Sequence, residues 1–256
     1  MEQLLRSFLI FLVICLFIQS TASAQEKRVA LDMQLGEKIP LELVFTDSSG
    51  AQVQLADLID RPTLIVPVFY NCRTVCNVML GGLASTLPKM RLTPGKDYQV
   101  ITLSFDPTET VTMAAHSRRT FITATRTDFP PEAWHFLTGE QEAIIGLTDS
   151  AGYYFYKEGD DFVHPTAAFI VAADGTIVRY LIGQSIPPIT LTMALLEAAE
   201  GRISTPISKA LEFCFTYDAE NRRYVFNLMR VSGTVILLTL GSFFLFLIFS
   251  GRKKKS

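Results

Sequence analysis

Apolar and polar positions along this 256-residue chain form an apolar stretch near each end and, between them, a middle whose period keeps switching. In LELVFTDSSGAQVQLADL apolar and polar residues alternate around Ser48-Ser49-Gly50, the period-two signature of a β-hairpin. TLIVPVFY, which runs into Asn71-Cys72, reads as a buried strand. Pro67 inside it predicts a bulge, because proline has no N–H to give to a ladder. From Cys76, VCNVMLGGLASTLPKM carries apolar residues at helical spacing, softened at Gly81-Gly82 and ended near Pro88. YQVITLSF reads as the next strand. DPTET then opens a helix, with Asp106 or Thr108 as cap and Glu109 in the first turn. After WHFLTG come a helix over EQEAIIGLTDSAG, strands in YYFY and TAAFIVA, a turn at Asp174-Gly175 and a strand in TIVRYL. A helix from about Pro187 to Glu200 closes the series, with Gly201 as its C-cap.

Strands that alternate with helices and finish on a hairpin describe an α/β domain with a mixed central sheet flanked by helices. The thioredoxin-like fold is one such arrangement. The pattern bounds this domain at residues 37–200, behind a polar linker at 25–36 and ahead of a membrane-proximal tether at 201–230. There is no internal repeat.

The two ends explain why 49% of the residues are hydrophobic although the middle is ordinary. At the N-terminus, Arg6 precedes an apolar run from Phe8 to Ile18, which is followed by Ala22-Ser23-Ala24. That is the pattern of a secretory signal peptide, residues 1–24, cleaved after Ala24. The run is shorter than the roughly 20 apolar residues a spanning helix needs. Residues 231–250 are uncharged and apolar enough to form one transmembrane helix. Arg252 and Lys253 to Lys255 follow in the tail 251–256, and such a cationic flank stays in the cytoplasm. The expected location is a single-pass protein of the cytoplasmic (inner) membrane with its globular domain on the periplasmic, extracytoplasmic side. Arg222, Arg223 and Arg230 on the other flank weaken the charge asymmetry.

A net charge of -2 leaves no basic face for nucleic acid, since the only dense basic cluster is that tail. Of four cysteines, Cys15 falls in the signal peptide, so the mature chain keeps Cys72, Cys76 and Cys214. Three cysteines do not make a disulfide scaffold. Cys72 and Cys76 stand in FYNCRTVCNVM, where a strand meets a helix start. Four residues apart on one helix face, their Cα atoms would be roughly 6 Å apart, within the reach of a disulfide or of one shared metal ion. The helix N-terminus would also favour thiolates. Cys214, between domain and membrane, reads as an unpaired thiol, with an intermolecular disulfide or an approach to the site as alternatives. His116, inside a helical run, and His135, after Trp134, read as structural residues, and Met79 as core.

FYNC-x-x-x-C after a strand, then SFDPTET, then WHFLTG, then a histidine opening a strand with an ADGTIVRYL hairpin resembles the Sco/SenC family of copper-handling assembly factors of cytochrome c oxidase. The resemblance spans roughly Gly36 to Glu200, and the order of separate motifs makes it specific. It implies a thioredoxin-like fold and one copper ion, Cu(I) or Cu(II), bound by Cys72, Cys76 and His164. It also implies as partner the copper-bearing subunit of the oxidase, together with other copper chaperones or thioredoxin-like reductants. Soft thiolates select Cu(I), and an added imidazole suits both oxidation states. A three-ligand site leaves the ion accessible for transfer, and only a reduced pair would load.

A second reading stays open, in which the same dithiol is catalytic and the protein is a membrane-anchored thiol-disulfide oxidoreductase that keeps oxidase-subunit cysteines reduced. Cys72, as the more exposed thiol, would attack and Cys76 would resolve. Two features favour it. Arg73 stands where the family often has proline, and Pro165 resembles the cis-proline that thioredoxin-like oxidoreductases set against their dithiol. A docking module without chemistry is the third reading. His164 divides the first two, because copper binding needs an imidazole and exchange does not.

Overall fold

The computed structural model describes residues 29–72 and 75–203, the strands Phe215–Asp218 and Arg223–Phe226, and scattered positions between 232 and 243. The signal peptide, the cytoplasmic tail, Arg73 and Cys214 lie outside the described residues, as does most of the expected transmembrane segment 231–250. Among the described residues no helix is long and apolar enough to cross a membrane.

The first elements in chain order are β1 (Ala30–Leu31), β2 (Val44–Asp47), β3 (Gln52–Gln54), the single turn α1 (Leu55–Leu58), β4 (Thr63–Val68) and α2 (Val75–Thr86). Then come β5 (Gln99–Ser104), α3 (Val111–Ala124), β6 (Trp134–Thr138) and α4 (Gln141–Ser150). The domain closes with β7 (Tyr153–Tyr154), β8 (Tyr156–Glu158), β9 (Asp161–Val163), β10 (Ala167–Val171), β11 (Ile177–Ile182) and α5 (Pro188–Ala199). Beyond it, β12 (Phe215–Asp218) and β13 (Arg223–Phe226) form a separate hairpin.

Seven strands make one mixed sheet in the order β11-β10-β4-β5-β6-β2-β3. β4, β5 and β6 run parallel, linked by crossovers through α2 and α3. The pairings outside that trio are antiparallel. Every residue of β4 and β5 is buried, as expected of parallel strands covered on both faces, whose sequences read as continuous apolar runs instead of alternating ones. Trp134 is fully buried and donates its indole N–H to Thr102 Oγ1 at 2.8 Å, so the one tryptophan ties β6 to β5. The α/β sheet flanked by helices agrees with the expected architecture.

Four local expectations change. Pro67 produces no bulge: β4 pairs with β5 in unbroken register from Thr63↔Gln99 to Val68↔Ser104. Its missing N–H instead falls on the β10 side, and the β4–β10 ladder ends at Ile65↔Phe169, two residues before Pro67 would have had to donate. The helix after SFDPTET starts later than DPTET, at Val111, with Thr110 as N-cap accepting from Met113 N at 3.4 Å. Asp106 closes a turn of its own, accepting Thr108 N at 2.9 Å and Thr108 Oγ1 at 2.7 Å, and frees Glu109 from the helix. YYFY splits, with β7 pairing to β1 and β8 to β9. The stretch 25–36, read as a linker, therefore carries β1.

Candidate metal and dithiol centre

β4 delivers the first cysteine. Beyond Val68 the chain turns tightly, with Cys72 N donating to Phe69 O at 3.2 Å. α2 then carries Cys76 in its first turn, and Asn77 Nδ2 donates to Cys72 O at 2.7 Å. The two cysteines thus come from a turn and a helix end, not from one helix face as the spacing predicted. Neither is in a disulfide, and both are buried, at 4% and 2% exposure. Cys72 is the more exposed of the two only by that margin, and neither thiol is open to solvent.

His164 arrives from the other side, between β9 and β10, with Nε2 3.9 Å from Cys76 Sγ. Its other nitrogen, Nδ1, lies 2.9 Å from Pro165 O and 3.0 Å from the Tyr153 hydroxyl. Tyr153 donates to Pro165 O at 2.6 Å. A carbonyl only accepts, so the arrangement is consistent when Nδ1 carries the proton. That tautomer turns the lone pair of Nε2 toward Cys76. Phe69 meets the imidazole edge-on at 6.1 Å between ring centres, and Phe105 tilts against it at 5.1 Å. These rings give the site a low-dielectric wall.

The electrostatics run against the thiolate that the helix N-terminus predicted for Cys76. Its thiol is pushed well above the ordinary range, first by the hydrogen bond with the Cys72 side chain, then by burial, then by the charges of Cys72 and Glu109. The bond to Cys72 and burial inside an aromatic pocket together outweigh the helix dipole.

Glu109 is the residue that sequence reasoning placed wrongly. It is 8% exposed and accepts Tyr70 N at 2.7 Å, Asn71 N at 2.6 Å and Ser104 Oγ at 2.6 Å. Burial raises its pKa while those donors oppose the rise. The acidic residue in SFDPTET, two positions ahead of where the helix starts, was the available signal for it. Tyr153 also went unassigned.

Pro165 follows His164 through a trans bond, since no described peptide bond is cis, and the likeness to a cis-proline does not hold. Met79 is buried in the core, as expected. His116 is exposed on α3, and His135 sits half-buried in β6 with its pKa lowered by burial and by Arg118. Neither reaches the dithiol in any contact of the site. Among the described residues no group of three or more His, Cys, Asp and Glu side chains is gathered tightly enough to cage a metal ion. The centre is therefore a buried pair of cysteine thiols with an imidazole aimed at it.

Sequence comparison matches the chain from residue 32 to residue 200 with the family described as SCO1/SenC. A comparison with curated proteins finds no match. Among solved structures, a candidate electron-transfer protein from Aquifex aeolicus VF5 is 27% identical with a TM-score of 0.60, covering 66% of this chain and 96% of its own. A second such protein from Aquifex aeolicus VF5, described as a candidate in electron transport, is 25% identical with a TM-score of 0.57, covering 66% and 100%. Arabidopsis thaliana ScoI, solved with copper bound, is 20% identical with a TM-score of 0.52, covering 62% and 96%, and shares the fold.

Proposed function

The chain belongs to the SCO1/SenC family, and on that premise we propose that it carries copper as cargo. Cys72, Cys76 and His164 hold one ion, which passes to the dinuclear copper centre of cytochrome c oxidase during assembly of the respiratory complex. The observation that carries this reading is the aim of His164: Nε2 faces Cys76 Sγ at 3.9 Å while Nδ1 is engaged from behind. One ion can bridge that gap, since metal–sulfur and metal–imidazole bonds of about 2.3 and 2.0 Å together exceed it. The donors are two soft sulfurs and one imidazole, the set that suits copper in either oxidation state.

Loading requires both thiols to lose their protons, and the raised pKa of Cys76 makes the proton a strong competitor. Release is the reverse: reprotonation of Cys76 or attack by recipient thiols lets the ion go. The aromatic wall of Phe69 and Phe105 keeps bulk water from doing this prematurely. The membrane address rests on sequence. A cleaved signal peptide and a helix over 231–250 would hold the domain outside the cytoplasmic membrane, where an oxidase subunit presents its copper site.

Thiol–disulfide exchange remains the second reading, favoured by the interaction between the Cys72 and Cys76 side chains, which places the two sulfurs within hydrogen-bonding reach of each other. The two readings separate in one experiment. The reduced full chain, in detergent, is loaded with copper and mixed with the copper-free, reduced soluble domain of the oxidase subunit. Transfer predicts that the recipient's dinuclear-centre absorption appears with wild type and not with His164→Ala. If the chain binds no copper, yet reduces an oxidised recipient equally well with or without His164, copper carriage is excluded.

A further inference from the structure

Glu109 is a buried carboxylate that neither reading of the centre uses. Its three hydrogen bonds all end on the frame of the dithiol turn. Oε2 accepts from Tyr70 N and from Ser104 Oγ, and Oε1 accepts from Asn71 N. Tyr70 and Asn71 are the two residues between the end of the Phe69 side of the turn and Cys72. Ser104 is the last residue of β5, the strand beside β4. One side chain therefore bolts the cysteine-bearing turn to the sheet. The backbone before it is shaped to allow this: the Asp106 turn ends the chain's run from β5, Glu109 N donates to Asp106 O at 3.1 Å, and the helix waits until Val111.

The chemistry of the side chain is specific to the task. Two consecutive backbone N–H groups and one hydroxyl need a group that only accepts, on both of its arms. Glutamine would turn an NH2 toward one N–H, and aspartate is one methylene short. Without the clamp, two N–H groups of the turn would have to find water or stay unpaired.

We propose that Glu109 is the positioning residue of the dithiol, fixing the Phe69–Cys72 turn so that Cys72 is held against Cys76. This rests on Cys72 and Cys76 being the working pair and not on the identity of the cargo. A held pair has a high effective concentration of one sulfur for the other, which favours the closed disulfide over two separate thiols. Loss of the clamp loosens Cys72 and moves the equilibrium toward the dithiol.

The test equilibrates the full chain, without copper, against glutathione. Cys72 and Cys76 give up two electrons and two protons to form one S–S bond, and one glutathione disulfide becomes two glutathione thiols. Glu109→Gln removes one acceptor arm and the charge, and Glu109→Asp keeps the charge and loses reach. Thr110→Ala weakens the cap of the following helix without touching the clamp, and so measures a merely structural loss. The expected result is at least a tenfold shift toward the dithiol for Glu109→Gln, about 30 mV, a smaller shift in the same direction for Glu109→Asp, and none for Thr110→Ala. Shifts no larger than that of Thr110→Ala would overturn the proposal. If Glu109→Gln does not fold, Glu109→Asp and Ser104→Ala decide by the same criterion. Because no copper is present, a wild type that fails to bind copper leaves this result intact.

Discussion

His164 is held from behind by Tyr153 and Pro165, and removal of one oxygen tests what that does. Tyr153→Phe keeps the ring and its packing but removes one of the two groups that hold Nδ1, leaving the Pro165 carbonyl alone. Copper affinity should fall about 10–100-fold with little change in melting temperature, as read by competition against a chromophoric Cu(I) chelator. Unchanged affinity would show that binding does not depend on the Tyr153 hydroxyl. A second residue-scale prediction follows from the raised pKa of Cys76. Its folded value lies above the free thiol, so the proton competes with metal throughout the neutral range, and apparent copper affinity should rise with pH between 6 and 8. A flat profile would contradict the assignment of Cys76 as a ligand. Cys72, Cys76 and His164 were legible as residues because their spacing and motif order survive in one dimension. Glu109 and Tyr153 were not, because each acts through atoms of segments remote in the sequence: Glu109 on Tyr70 and Asn71, Tyr153 on His164 and Pro165.

The elements were legible wherever burial imposed a period. β4, β5, β10 and the flanking helices stand where the apolar runs put them, and Gly201, expected as the C-cap of α5, stands one residue past the Glu200 cap, where its positive φ of 64° turns the chain out of the helix. What failed were places where one polar group overrules the local pattern. Pro67 ends a ladder where a bulge was expected, and Asp106 captures Thr108, which delays α3. The start of α3 makes a measurable claim: Thr110→Ala should cost about 1 kcal/mol of stability in denaturant titration and leave the dithiol chemistry alone. Substitution at Asp106 should not mimic it, since Asp106 caps a turn and not the helix. Gly152 marks a tighter constraint. Its φ is +59°, and a Cβ there would collide with Asp32 O, whose own N–H donates to Gly152 O at 2.8 Å. Gly152→Ala should therefore destabilise by more than about 1 kcal/mol and loosen the β1–β7 pairing beside Tyr153. A neutral effect would contradict this packing.

For the whole molecule, the sheet order brings the β4 turn, the end of β5 and the segment before β10 to one edge, so that cysteines, clamp and histidine meet although they are far apart in the chain. Acid should act on the fold through His135, which lies in β6 away from that centre. His135 has its pKa lowered by burial, so the folded state holds it neutral while the unfolded chain protonates near 6.5. The unfolded state then binds more protons, and stability is lost as pH falls below that value. The melting temperature should drop from pH 7.5 to pH 5.5, and His135→Leu should lose less over the same range. An equal loss would exclude His135 as a source.

The central claim is that one copper ion sits on Cys72, Cys76 and His164, and X-ray absorption at the copper edge of the reduced, loaded full chain tests it most directly. The account predicts one copper per chain with two sulfur ligands and one nitrogen, the nitrogen lost in His164→Ala and the metal lost when both cysteines are changed to serine. A copper environment unchanged by His164→Ala, or no bound copper in the reduced wild type, would contradict it.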